Sequence, residues 1–308
     1  MGKAILDYIS DSLTECGFLP NDFSLPEVQS EDRVRFADGA MDGILIYHSA
    51  LSVIEEAEKA EILNALKLAE NGEFDNAAGK FSEFCKSHRA IELIDDIQGV
   101  IMDHTDELSV QQMVRFAIGL ITGSDDRELI KIGLIILELV NTANDPNLMR
   151  HIRTLGLSDE FTLFSVFIMR HWPDGQMEIL DLARRVHGWG RIHCVQFIEP
   201  ENDEIRHWLL TDGIDNGVMS EYSALTVFEK TGIEEMLDRS DLSEEEVMSI
   251  LNVIDSMLVE GPVTGISGVE DPPKVLAKVL KAAGKIVPDE NEQRIIKDVK
   301  ELYERMTS

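Results

Sequence analysis

Cysteine is scarce in this chain: Cys16, Cys85 and Cys194 lie far apart and in no paired spacing. Neither a disulfide framework nor a cysteine-rich zinc module fits that pattern, and a reducing cytoplasm is the expected compartment. Cations are scarce as well. Against 58 Asp and Glu stand 28 Lys and Arg, a formal net charge of −30. A field of that sign repels phosphates and anionic headgroups, so neither nucleic acid nor membrane is an expected partner. Long hydrophobic runs are missing: the most apolar stretch, Ile132 to Val140, is broken by Glu138. It falls far short of the roughly 20 residues a bilayer crossing needs. The start, Met1 to Asp7, has one basic residue and an apolar stretch interrupted by Asp7, which predicts no signal peptide. Leu6 stands where N-myristoylation requires Ser or Thr.

Motifs for chemistry are equally thin. Ser165, Ser220 and Ser223 fall in helix bodies or caps, without a Gly-x-Ser-x-Gly elbow. Asp95-Asp96 and Glu244-Glu245-Glu246 are adjacent in sequence, so they diverge on a helix as a solvated face. Gly261 to Gly268 is rich in glycine, but no Lys-Ser or Lys-Thr follows and no strand precedes it, which makes it a turn-rich linker. No cofactor, metal or catalytic group is expected.

What the chain does have is helical periodicity. With 44% hydrophobic and 28% charged residues it is a folding sequence. Ile295, Val299, Leu302 and Met306 recur at helical steps, as do Val247, Ile250, Leu251, Ile254 and Leu258. Ser243 with Glu246 predicts a capping box, Asp271-Pro272 a helix start, and Ser109 with Gln112 a further cap. Arg33-Val34-Arg35-Phe36 alternates like a strand but has no visible partner. The expected class is all-α. Second helices are expected near Asp126, Ser158, Trp189 and Gly217, at intervals of 32, 31 and 28. A period of about 30 is that of two helices and two turns. The helices from Asp126 and Ser158 are apolar nearly all round, which requires neighbours on several sides. Gly133 is expected to admit a close helix approach.

Residues 150–208 stand apart. They hold all three tryptophans, five of eight histidines, seven arginines, no lysine and nine acidic residues. The window is therefore at −2 while the remainder sums to −28. Within it, Arg184, Arg185, His187, Trp189, Arg191 and His193 form the candidate contact surface, since Trp and Arg dominate binding hot spots. Arg184 and Arg185 also complement a helix C-terminus, whereas Arg191 opens a helix, where a cation needs an anionic neighbour. Trp208 reads as core, Trp172 as the cover of a turn, and Trp189, between two glycines, as partly exposed. His187, His193 and Cys194 lack the spacing of a metal site.

Several of these segments resemble HEAT-type repeats. The stretch Pro200–Ile233, with Ile205, Trp208 and Leu209 on one helix and Tyr222, Ala224, Leu225 and Phe228 on the next, looks like one repeat. Trp189 to Val195 resembles the start of a second helix, and Asp145-Pro146 the Asp-Pro that opens many such helices. The likeness covers about residues 108–235. It implies a right-handed α-solenoid of HEAT-like hairpins with extra helices at both ends: 1–105 N-terminal, 106–240 the array, and 241–308 C-terminal helices. It also implies that Arg191 pairs with an acidic residue, of which Asp159, Asp181 and Asp212 are candidates. Leu66-Ala69-Gly72-Phe74-Ala77-Phe81 resembles a single TPR-like hairpin. The expected function is binding of a protein or peptide, acidic or phosphorylated, through the central Arg/Trp/His surface. The alternatives are a HEAT-like enzyme acting on alkylated DNA, which would need a positive groove that a total of −30 disfavours, and a small-ligand pocket lined by Trp189, His187, His193 and neighbouring apolar residues.

Overall fold

The computed structural model describes residues 2–26, 36–49 and 54–308. Every regular element among them is helical, so the class is all-α. The Arg33–Arg35 part of the strand-like alternation lies outside the described residues.

The chain divides into two compact units, 1–194 and 195–308. In the first, α1 (Ile5–Ser12) and α2 (Ala40–His48) precede α3 (Glu56–Glu70), α4 (Phe74–Phe84), α5 (Ile94–Asp103), α6 (Val110–Gly123), α7 (Arg127–Glu138), α8 (Pro146–Gly156), α9 (Asp159–Met169) and α10 (Gly175–Ala183). Local signals fix most of these starts. The Ser109 hydroxyl accepts from the Gln112 N–H, and the Asp126 and Asp145 carboxylates accept from the first-turn N–H groups of α7 and α8. Three pairs pack lengthwise, α3 with α4, α6 with α7 and α8 with α9, and α7 also lies against α9. The α3–α4 hairpin turns at Gly72, whose φ of +80° suits glycine.

α7 and α9 form the middle of this unit. Every residue of α7 from Leu129 to Leu137 is buried, and all of Glu160–Val166 in α9. Gly133 is indeed a contact point: a Cβ there would stand 2.7 Å from Ile121 Cγ2 and 2.9 Å from the Ala117 carbonyl oxygen.

α11 (Gly188–Phe197) crosses the division between the units. In the second unit follow α12 (Asp203–Asp212), α13 (Glu221–Thr231), α14 (Ile233–Met236), α15 (Glu244–Met257), α16 (Pro272–Ala283) and α17 (Glu290–Thr307). The Ser243–Glu246 capping box and the Asp271 cap form as expected. α15 packs on α12, α13, α16 and α17, and its Val247, Ile250, Leu251 and Ile254 are buried there. Trp208 is core, as its position beside Ile205 and Leu209 implies. The helix expected at Gly217 begins at Glu221 instead. Asn216 holds the delay: its side-chain oxygen accepts from the N–H groups of Val218 and Met219, and its amide donates to the Met219 carbonyl. Such Asn turns compete with a helix for the same backbone groups.

The glycine-rich 261–268 segment folds back on Glu260. Its carboxylate accepts from the N–H groups of Gly265 and Ser267 and from the Ser267 hydroxyl. Two of the backbone donors that a phosphate loop would offer to a ligand, those of Gly265 and Ser267, are already engaged. At the end of α11, Lys230 of α13 donates to the carbonyls of Gln196, at 2.9 Å, and Ile198, at 2.6 Å. It closes the helix with a cation where the dipole favours one.

Candidate functional site

The six residues of the contact surface divide into an outer and an inner trio. Arg184 and His187, in the turn after α10, are exposed, and Arg185 is half-buried. The Arg185 guanidinium lies 5.6 Å from the centroid of the Phe18 ring and 3.3 Å from Asp181. Phe18 itself is 42% exposed, so this corner presents an aromatic face, two arginines and a histidine to solvent. Trp189, Arg191 and His193 lie on α11 and are all buried.

Trp189 therefore corrects the expectation of a half-exposed ring: it is 7% exposed. The cause is Gly43 on α2. A Cβ at Gly43 would overlap the indole ring, so the absence of a side chain there lets α2 come against Trp189. The Tyr47 ring is 6.2 Å away, completing the cover. Trp172 is buried too, its indole N–H donating to the Thr142 hydroxyl at 2.8 Å while Arg153 lies over the ring.

The glycines flanking Trp189 have a specific role. The Asp159 carboxylate sits at the N-terminus of α11 and accepts from the backbone N–H groups of Gly190 and Trp189. A Cβ on Gly188 would collide with one carboxylate oxygen, and one on Gly190 would stand 2.6 Å from the other. Gly188 also has a φ of +59°. The Gly-Trp-Gly turn is thus a cradle for the Asp159 carboxyl group supplied by α9, whose oxygens take the first N–H groups of the helix. Burial pushes the Asp159 carboxyl up to about 8, against the pull of the two N–H donors. Of the other acids considered as partners of Arg191, Asp181 engages Arg185 and Asp212 accepts from the Thr211 hydroxyl.

Behind this turn lies a charged cluster that periodicity does not reveal. Lys131, in the middle of α7, has a side chain with no exposure. Its Nζ lies 2.6 Å from Asp42, 2.6 Å from Glu160 and 3.1 Å from Glu128. Arg89 bonds Asp42 through Nε at 3.2 Å and Glu128 through Nη2 at 2.9 Å. Nearer the surface, Arg127 pairs with Asp38 at 2.8 Å and donates to the Leu25 and Pro26 carbonyls. Burial disfavours the Lys131 ammonium, but Asp42, Glu160 and Glu128 outweigh it and hold the group protonated beyond the ordinary lysine range. Burial likewise opposes ionisation of Glu160, and Lys131, the Gly39 N–H and Arg127 reverse that, bringing it down to about 2. Burial, with the neighbouring Glu160 and Glu128, keeps Asp42 above the usual carboxylate range. Every charge is paired, so the cluster joins elements rather than offering a reactive group. The signal available in the sequence was one lysine inside an apolar helix.

Comparison with known proteins adds no family. No family model matches the chain, and no curated protein or solved structure matches it significantly. What this site does is therefore argued from its geometry alone.

The cysteines are chemically separate. Cys194 is buried, and its thiol is pushed above the ordinary range by burial. In Cys85, burial and the nearby Glu128 and Asp126 raise the thiol to about 12. Among the described residues, no group of three or more His, Cys, Asp or Glu side chains is arranged to hold a metal.

His193 gives a pH prediction. It is 1% exposed, its Nε2 has no hydrogen-bond partner, and burial together with Lys131 lowers it to about 4. Above pH 6.5 the neutral ring is present in both folded and unfolded chains. As pH falls from 6.5 towards 4, the unfolded chain takes up a proton that the folded one refuses, so stability is lost. At pH 5 the loss is about 2 kcal/mol. Asp159, raised in the folded state, acts in the opposite sense between pH 8 and 4, so the wild-type profile is a sum. Urea midpoints of wild type and His193→Gln at pH 7 and pH 5 isolate the histidine: the change from pH 7 to pH 5 is expected to be less favourable in the wild type than in the variant. Equal changes would show that His193 is not held neutral.

Proposed function

We propose that the chain is a protein-interaction module that recognises an acidic or phosphorylated protein or peptide at the corner made by Arg184, Arg185, His187 and Phe18. The observation that supports this is the exposed Phe18 ring under the Arg185 guanidinium, with Arg184 and His187 of the same turn also exposed. Arginine binds carboxylate and phosphate through paired N–H donors, and a flat ring next to it supplies apolar area. In a chain of −30, the near-neutral window containing this corner is where an acidic partner meets the least repulsion. Trp189, Arg191 and His193 serve the same surface from inside, by fixing the turn that carries it. The α6–α7 and α8–α9 pairs are, in this reading, HEAT-like hairpins of a right-handed solenoid working in the cytoplasm.

The test is binding of acidic peptides and phosphopeptides by the full chain and by Arg184→Glu/Arg185→Glu. Arg184 is exposed but Arg185 is half-buried over Phe18, so melting temperatures are measured first and affinities compared where both chains are folded. Affinity is expected to fall at least about tenfold, the effect of losing one charge-assisted hot spot. Unchanged affinity with both chains folded would overturn the proposal.

A further inference from the structure

α2 is built the wrong way round for a helix held by apolar packing. Its sequence, Ala-Met-Asp-Gly-Ile-Leu-Ile-Tyr-His, is mostly hydrophobic, yet its buried residues are Ala40, Asp42 and Gly43. Met41, Ile44, Leu45 and Tyr47 are half-buried, and Ile46 is 39% exposed. Nor does α2 run lengthwise along another helix, as α6 does with α7 or α8 with α9.

Polar contacts attach it instead. Asp38 is held by Arg127 and by the Leu25 N–H, the Gly39 N–H donates to Glu160 at 3.0 Å, and Asp42 takes Lys131 and Arg89. Buried ion pairs of this kind yield little net stability, because desolvation offsets the attraction. Apart from the contact of Gly43 and Tyr47 with Trp189, α2 keeps most of its apolar side chains half-buried or exposed, and such segments open at a lower free energy than the core beneath them. If residues 38–48 are lifted away, two carboxylates leave with them. The wall that remains holds Arg89, Arg127 and Lys131 against Glu128 and Glu160, with the Asp159 carboxyl and the Trp189 ring at one side.

We propose that residues Asp38–His48 form a displaceable strap over a recess that accepts a carboxylate-bearing ligand, with Asp38 and Asp42 occupying the ligand's place in the closed chain. The recess is distinct from the corner at Arg184 and Arg185. An internal carboxylate already satisfies its cations, so an outside acid binds when the strap opens and competes at the cost of that opening.

Two measurements on the full chain decide this. In native-state hydrogen exchange at neutral pH, α2 amides are expected to exchange at least about tenfold faster than the central amides of α7 and α9, through an opening that leaves those helices protected. Exchange of α2 only together with α7 and α9 would overturn the strap. In Asp42→Ala, sodium acetate is expected to raise the melting temperature relative to sodium chloride at equal ionic strength, whereas in the wild type the two salts act alike. If acetate and chloride are indistinguishable in a folded Asp42→Ala chain, the recess does not take a carboxylate. Should Asp42→Ala fail to fold, Asp38→Ala makes the same comparison at Arg127, and equal action of the salts there overturns the ligand class in the same way.

Discussion

Lys131→Met is expected to destabilise the chain by about 3–5 kcal/mol, enough to prevent folding of a marginal domain. The methionine fits the apolar surroundings of α7, so the cost arises elsewhere. It leaves the carboxylates of Asp42, Glu128 and Glu160 facing one another, with Arg89 close to all three and Arg127 close to Glu160 alone. Removing one partner of a buried ion pair is far worse than replacing both, because the surviving charge has neither water nor counterion. Lys131→Met/Asp42→Asn is therefore expected to recover part of the loss, and the non-additivity measures the pair itself. Guanidinium unfolding of wild type, both single variants and the double variant completes the cycle. If Lys131→Met alone stays within about 1 kcal/mol of wild type, the ordinary range for a point change, the cluster is not a stability element.

The second large effect is expected at Trp189. Trp189→Ala removes a nearly buried indole wedged against Gly43 and is expected to cost about 3–5 kcal/mol, the usual range for deleting a core aromatic. Trp189→Phe keeps the ring contact and is expected to lose markedly less. Circular dichroism follows both transitions, since the substitution removes a fluorophore. This prediction separates the inner trio from the outer one. Arg184 and Arg185 are expected to alter binding more than stability, and Trp189 to alter stability. A Trp189→Ala chain that melted like wild type but lost its partner would return the tryptophan to the contact surface.

What the sequence disclosed follows from how far each signal reaches. Helix starts at Ser109, Asp126, Asp145, Ser243 and Asp271 were legible because a cap joins a side chain to a backbone N–H two or three residues on. The all-round burial of α7 and α9 was legible because an apolar helix has no other stable environment. The same logic failed for Trp189, which looked open because glycine stood on both sides of it. Its cover comes from Gly43, far upstream, and the flanking glycines make room for Asp159 rather than for solvent. Lys131 was passed over for a related reason. A single cation in an apolar helix declares itself only when Asp42 of α2 and Glu160 of α9 are placed around it, and nothing in local periodicity does that. Asn216 shows a third kind of failure, in which a strong local turn competed with the helical pattern and displaced the start to Glu221.

The two ends of α11 are settled by residues on opposite sides of it in the chain. Asp159, made earlier, receives the first N–H groups; Lys230, made later, takes the last carbonyls. During synthesis from the N-terminus, the first turn of α11 finds its partner once α9 is made, while its last carbonyls are left to water until α13 follows. α11 thus draws its two ends together from two different stages of the emerging chain.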